Sequence, residues 1–292
     1  MAALPSVGRA EPARPIVIGS KSDTEGSLLG NLIALALEGL GLPVERRLGL
    51  GPTLIVRSAL LAGEIDLYPE YSGNVAFFSG TETEPDWKTS EGAYDQASRR
   101  DAARGLVWLA RAPANNTWLI AVRGALARAR NLSTMADFAD AVREDLIRLA
   151  ASTEFVESPA ALPSFEAAYG FRLPLSRIVS LPGGDTAVTA RAAAEGIGGI
   201  NAGMVYGTDG ALAALDLAVM SDPKGAQIVY EPAPVIRAGT IERHPQIRGA
   251  LDPLFARLDA DTLRHLNGAI AVEGRTAAAV AAEWLGRQAD RP

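Results

Sequence analysis

Residues 15–19, Pro-Ile-Val-Ile-Gly, form a short apolar run closed by a glycine, and the chain then changes period. Leu28, Leu29, Leu32, Ile33, Leu35 and Leu37 recur at helical spacing, and Ser22 with Glu25 three residues later has the form of a capping box. A strand followed by a helix ending near Gly39 or Gly41 is expected. The same alternation predicts a strand over residues 44–48, a helix over 52–62 and a short strand over 65–67. Residues 79–93, rich in Thr, Glu, Pro and Ser, read as a surface loop before a helix over 94–109. A strand is expected over 118–122, after the turn-prone Pro113-Ala114-Asn115-Asn116, with further alternation to Met204. Strand-like residues 217–220 and 227–230 then lead into helices over 245–258, 261–270 and 276–285, which are expected to pack back on the first part of the chain. Strands alternating with helices imply an α/β fold with parallel pairing and right-handed crossovers.

The length, 292 residues, favours two lobes. Hydrophobic residues at 48% and charged residues at 21% are those of a globular chain, not a disordered one. Twenty-eight basic against 34 acidic side chains leave a net charge of −6, the wrong sign for phosphate contacts, so nucleic acid is not an expected partner. Without cysteine there is no disulfide, thiolate nucleophile or cysteine-bound metal, and this by itself leaves the compartment open. No apolar run is long enough for a membrane span, and residues 1–14 lack the core of a signal peptide. They are read as a tail, and an exported form would already have lost its signal.

Candidate chemistry gathers at two places. Ile65-Asp66-Leu67-Tyr68-Pro69-Glu70-Tyr71-Ser72-Gly73-Asn74 brings Tyr71 into what reads as a sharp turn, and Lys21 follows the first strand at a helix start. An aromatic face and a cation suggest a zwitterionic guest. Asp66 and Glu70, with Pro69 between them, read as the solvated flanks of that turn, and Asp209 in Thr-Asp-Gly as a cap or hinge residue. The sequence contains no G-x-S-x-G, H-E-x-x-H, G-x-G-x-x-G or complete phosphate loop, and His244 and His265 are isolated from each other. A solute receptor is favoured, and a hydrolase or transferase using a similar cleft is the alternative. No cofactor is expected.

Five segments resemble substrate-binding proteins of osmoprotectant ABC importers, in the family's order. They are G-S-K-S-D-T-E-G from Gly19, Y-P-E-Y-S-G-N from Tyr68, N-N-T-W-L-I-A-V from Asn115, F-E-A-A-Y-G-F from Phe165 and V-Y-G-T-D-G from Val205. The resemblance implies a type II two-lobed periplasmic-binding-protein fold with its ligand cleft between the lobes. It divides the chain into a tail (1–14), a first lobe (15–111), a second lobe (112–207) and a return to the first (208–292). It implies a periplasmic or otherwise extracytoplasmic monomer that captures glycine betaine, choline, carnitine or a similar quaternary ammonium osmolyte and presents it to an ABC permease.

Carried over by position, the resemblance places an aromatic cage at Tyr71, Trp118, Tyr169 and Tyr206, and Lys21 against a ligand carboxylate. Asn74 and Thr117 are further polar candidates, and Tyr68, Tyr94, Tyr230, Trp87, Trp108 and Trp284 keep a structural role. Ser158 stands where many betaine binders have an arginine, which weakens the expected hold on a carboxylate. A quaternary ammonium group has no N–H to donate, so π faces are the recognition chemistry available to it.

Overall fold

A computed structural model of the chain describes residues 14–181 and 186–289. Among the described residues ten strands form two five-stranded sheets. β1 (Ile16–Gly19), β2 (Val44–Arg47), β3 (Leu67–Tyr71), β4 (Leu106–Trp108) and β10 (Pro232–Arg237) build the first, in the order β2-β1-β3-β10-β4. β5 (Trp118–Arg123), β6 (Leu149–Ser152), β7 (Ile178–Leu181), β8 (Ala202–Tyr206) and β9 (Leu217–Val219) build the second, in the order β7-β6-β8-β5-β9. The α/β fold is two-lobed, as expected, with one sheet per lobe.

The first lobe carries α1 (Thr24–Gly39), α2 (Thr53–Ala62), α3 (Asn74–Ser79) and α4 (Ser90–Ala102). The second carries α5 (Gly124–Arg130), α6 (Met135–Arg143), α7 (Thr153–Glu157), α8 (Leu162–Tyr169), α9 (Thr186–Glu195) and α10 (Ala211–Ala214). The chain ends with α11 (Ala238–Arg243), α12 (Gln246–Phe255), α13 (Ala260–Ala271) and α14 (Ala277–Ala289). The apolar stripe of α1 is buried against the last three helices, with Leu28, Leu32 and Ile33 sharing one core with Leu251, Phe255, Leu266 and Trp284. Side chains of Ile120, Phe138, Phe155, Phe165 and Met204 fill the second lobe.

All four residues of β1 are buried, as a continuous apolar strand covered on both faces requires. β1 pairs in parallel with β2 and β3, whereas β10 runs antiparallel to β3 and β4 because it enters after the excursion through the second lobe. β9 pairs with β5, so the chain stays in the second lobe past residue 208, and its return to the first sheet falls between β9 and β10. Residues 1–13 of the expected tail lie outside the described residues.

Several local expectations change. The strand expected over 65–67 runs from Leu67 to Tyr71, through Pro69. Pro69 is tolerated because the β1 pairing of β3 stops at Leu67, so its missing N–H breaks no ladder bond to β1. Asp66 and Glu70 are therefore buried, not solvated. Asp66 accepts from the Val17 N–H at 2.9 Å and Glu70 from the Tyr68 hydroxyl at 2.5 Å.

The capping residue of α1 is Asp23, whose Oδ1 accepts from the Gly26 N–H at 2.6 Å; Ser22 does not serve. Residues 79–93 include a 3-10 turn over Pro85–Lys88 whose Trp87 is fully buried, and α4 opens at Ser90, capped by Thr89. Residues 227–230 form a crossing segment, and the strand follows it as β10.

Candidate functional site

The lobes meet across two crossing segments, one between β4 and β5 and one between β9 and β10. The segments are tied to each other. The Asn116 N–H donates to the Tyr230 carbonyl at 2.9 Å, the Tyr230 N–H to Asn115 Oδ1 at 2.9 Å, and Thr117 Oγ1 to the Ile228 carbonyl at 2.7 Å. Thr117 is thus buried and spent on holding the crossing, away from the cavity lining. Beside these ties lies a cavity of about 820 Å³, lined from both lobes.

Among the described residues five aromatic rings border this cavity: Tyr71, Trp118, Tyr206 and Tyr230, together with Phe77, which is 57% exposed. Trp118 opens β5 and Tyr206 closes β8, and the two are paired in register on adjacent antiparallel strands. Directly opposed residues share a sheet face, so both rings project to the same side. Trp118 meets Phe155 edge-on at 6.1 Å, which seats the indole against the second core, and meets Tyr230 at 6.4 Å with a 59° tilt. Gly73 makes room for Tyr230, since a Cβ there would lie 2.7 Å from its ring carbons. Burial pushes the Tyr206 hydroxyl up to about 12, with Glu154 and Asp209 adding to it, so the phenol is neutral at ordinary pH. Burial raises Tyr230 as well, with Tyr206 contributing.

Tyr71 ends β3 in the first lobe. Its hydroxyl donates to Glu25 Oε1 at 2.7 Å, and burial with the neighbouring Glu25 charge pushes it well above the usual phenol range. Lys21 Nζ stands 4.3 Å from the ring centroid, so the ring already accepts one cation on a face. Lys21 is buried and paired with Glu70 Oε1 at 2.9 Å. That carboxylate also accepts from the Tyr71 N–H at 2.8 Å and from Asn74 Nδ2 at 2.7 Å. Lys21 and Asn74 both line the cavity, yet each directs a donor to Glu70, which differs from the expected role of Lys21 as a free cation for a ligand carboxylate.

Tyr169 stands apart from this set. Its hydroxyl donates to Asp222 Oδ1 at 2.5 Å and accepts from the Lys224 N–H at 3.0 Å, and Lys224 Nζ lies 4.8 Å from its ring centroid. It is 6% exposed within the second core and absent from the cavity lining. The partly buried ring that joins Tyr71, Trp118 and Tyr206 at the cavity is Tyr230, which lies in none of the family-like motifs and for which a structural role is expected from the sequence. Its position beside Asn115 and Asn116 depends on contacts across 115 residues of sequence.

Among the described residues acidic side chains predominate around the cavity: Asp23, Glu25, Glu82, Glu154 and Asp209 line it, against a single lysine, already paired with Glu70. Asp209 Oδ2 accepts from the Tyr206 N–H at 2.7 Å, in keeping with the expected cap role. Ser158 also lines the cavity. Among the described residues no cluster of His, Cys, Asp and Glu suits a metal ion, and no helix is long and apolar enough to cross a membrane.

Comparison with known proteins agrees with this architecture. The chain is 49% identical over 277 residues to the glycine betaine-binding protein YehZ of Escherichia coli, covering 94% of this chain and 91% of that one. The solved apo structure of YehZ superposes with a TM-score of 0.83, covering 94% and 99% of the two chains. A glycine-betaine-binding protein of Pseudomonas aeruginosa is 31% identical over 283 residues, 94% of this chain and 88% of that one. Residues 14–287 match the family described as the substrate-binding domain of ABC-type glycine betaine transport systems. With its two sheets, its interlobe cavity and a family match spanning nearly its whole length, the chain belongs to that family of solute-binding proteins and is not an enzyme.

Proposed function

We propose that this protein captures a quaternary ammonium osmolyte of the glycine betaine, choline or carnitine class in a cage made by Tyr71, Trp118, Tyr206 and Tyr230. It then delivers the ligand to an ABC permease, acting as a monomer in the periplasm or an equivalent extracytoplasmic space. The observation that carries this reading is the convergence of those four rings on one cavity. Neutral phenols and an indole offer π faces to a charge that cannot be hydrogen-bonded. Each desolvated ring contributes about 2 kcal/mol. The names of the E. coli and P. aeruginosa relatives, both betaine binders, support the same class.

Tyr230 replaces Tyr169 as the fourth ring, and Lys21 and Asn74 serve to hold Glu70 and the base of the cage. The experiment is a thermal-shift screen with betaine, choline, carnitine and tetramethylammonium. A ligand at a hundred times its Kd stabilises the native state by about 2.7 kcal/mol, a rise in Tm of roughly 5–10 °C for a chain of this size. The reading fails if no onium compound raises Tm, or if the ligand is chemically converted.

A further inference from the structure

The wall of the cavity beneath Tyr71 is built from hydrogen-bond acceptors that lack positive partners. Glu25 is 5% exposed, and its Oε1 accepts from the Tyr71 hydroxyl at 2.7 Å and Asn116 Nδ2 at 3.2 Å, while Oε2 accepts from Asn267 Nδ2 at 2.7 Å. Every one of these donors is neutral. Among the described residues Glu25 has no cation within 4.0 Å, and burial raises its pKa above the usual carboxylate range. Asn267 spends its amide nitrogen on Glu25 and on the Thr208 carbonyl at 3.0 Å, and Asn116 spends its nitrogen on Glu25. These bonds fix which end of each amide is which. The ends left over are both carbonyl oxygens: Asn116 Oδ1 and Asn267 Oδ1 are buried without a hydrogen-bond partner, the latter on a side chain only 4% exposed. Glu25, Asn116 and Asn267 all line the cavity.

A buried acceptor left unmatched is costly, and a ligand that supplies the missing donor recovers that cost. A ligand carboxylate brings only further acceptors and a second negative charge beside Glu25. From this corner we infer that Glu25, Asn116 and Asn267 form a donor-reading subsite, and that the favoured guest is an onium ion carrying a hydroxyl or N–H group and no carboxylate. The inference rests on the onium reading of the cage and narrows it to net cations.

The test is isothermal titration of the wild type with tetramethylammonium, choline and glycine betaine, followed by the same titrations on Glu25→Gln and Asn267→Ser. Choline is expected to bind at least tenfold more tightly than betaine to the wild type, and each substitution to shrink that ratio to threefold or less. A wild type that binds betaine as tightly as choline overturns the subsite while leaving the cage in place. So does a folded variant that keeps the wild-type ratio, folding being judged from its melting curve. Failure of all three compounds to bind the wild type overturns the cage itself. The wild-type ranking decides the matter even if both variants fail to fold.

Discussion

Replacing Tyr230 and Tyr169 separately by leucine distinguishes a ring that touches ligand from one that holds the fold. Tyr230 borders the cavity beside Trp118 at 6.4 Å, and among the described residues its hydroxyl has no protein hydrogen bond. Leucine keeps most of its bulk over Gly73 and removes the π face together with a hydroxyl that holds no protein partner among the described residues. Losing one desolvated ring removes about 2 kcal/mol. At about 1.4 kcal/mol per decade this is a rise of roughly 30-fold in Kd for an onium ligand. The melting temperature without ligand is expected to move little.

Tyr169 behaves in the opposite way. Its hydroxyl donates to the Asp222 carboxylate, and its ring lies under Lys224. A hydrogen bond to a charged group contributes about 1.5–3 kcal/mol. Tyr169→Leu should therefore lower Tm by roughly 3–12 °C, with onium affinity held within threefold of wild type. Calorimetric titration with tetramethylammonium and scanning calorimetry of the unliganded proteins supply both numbers. The reasoning is refuted if Tyr230→Leu binds within twofold of wild type, or if Tyr169→Leu loses ligand affinity at an unchanged melting temperature.

Lys21→Met leaves the fully buried Glu70 without its cation, which costs about 3–5 kcal/mol, a fall in Tm of roughly 6–20 °C. The betaine-to-choline affinity ratio should stay within twofold of wild type; a selective loss of betaine at unchanged Tm would restore Lys21 as a carboxylate contact. Gly210→Ala would set a Cβ 2.2 Å from the backbone nitrogen of Gly268, where the loop after β8 meets α13. Neither backbone can yield as a flexible side chain would, so a loss of about 1–3 kcal/mol is expected. A variant that melts with the wild type would show that this contact is not tight.

The sequence carried the elements whose signals are local. The apolar run at Ile16 and the helical stripe from Leu28 to Leu37 are visible as period changes, and the observed β1 and α1 follow them. Pro69 misled because proline usually ends a strand, and only the sheet shows that β1 has no further pairing to lose there. Trp87 sat in a polar stretch, and its burial depends on neighbours such as Ile228 that are distant in sequence. At the site, Trp118 and Tyr206 lay in family-like motifs, and their register pairing places them together. Tyr169 lay in such a motif too, but its partner Asp222 lies 53 residues onward. Tyr230 had no motif, and it joins the cavity through a crossing segment whose path the pattern of apolar residues does not encode.

In the proposed cage, the mixed origin of the rings would tie recognition to the arrangement of the lobes. Tyr71 ends a strand of the first sheet, while Trp118 and Tyr206 sit on paired strands of the second. Tyr230 belongs to the crossing, where its backbone is hydrogen-bonded to Asn115 and Asn116 in the other crossing segment. An onium ion touching all four would bind two lobes and the segments between them at once. A rotation of one lobe against the other would change the distance from Tyr71 to the Trp118–Tyr206 pair, since they sit on different sheets. A ligand can shift such an equilibrium only by its difference in affinity for the two arrangements. In the proposed cage that difference would be set by Tyr71 and by Glu25, the members carried by first-lobe elements. Glu25 accepts from Asn116 in one crossing segment and from Asn267, which also donates to the Thr208 carbonyl after β8, so the carboxylate proposed to face the cation would also lie on the contacts joining the lobes.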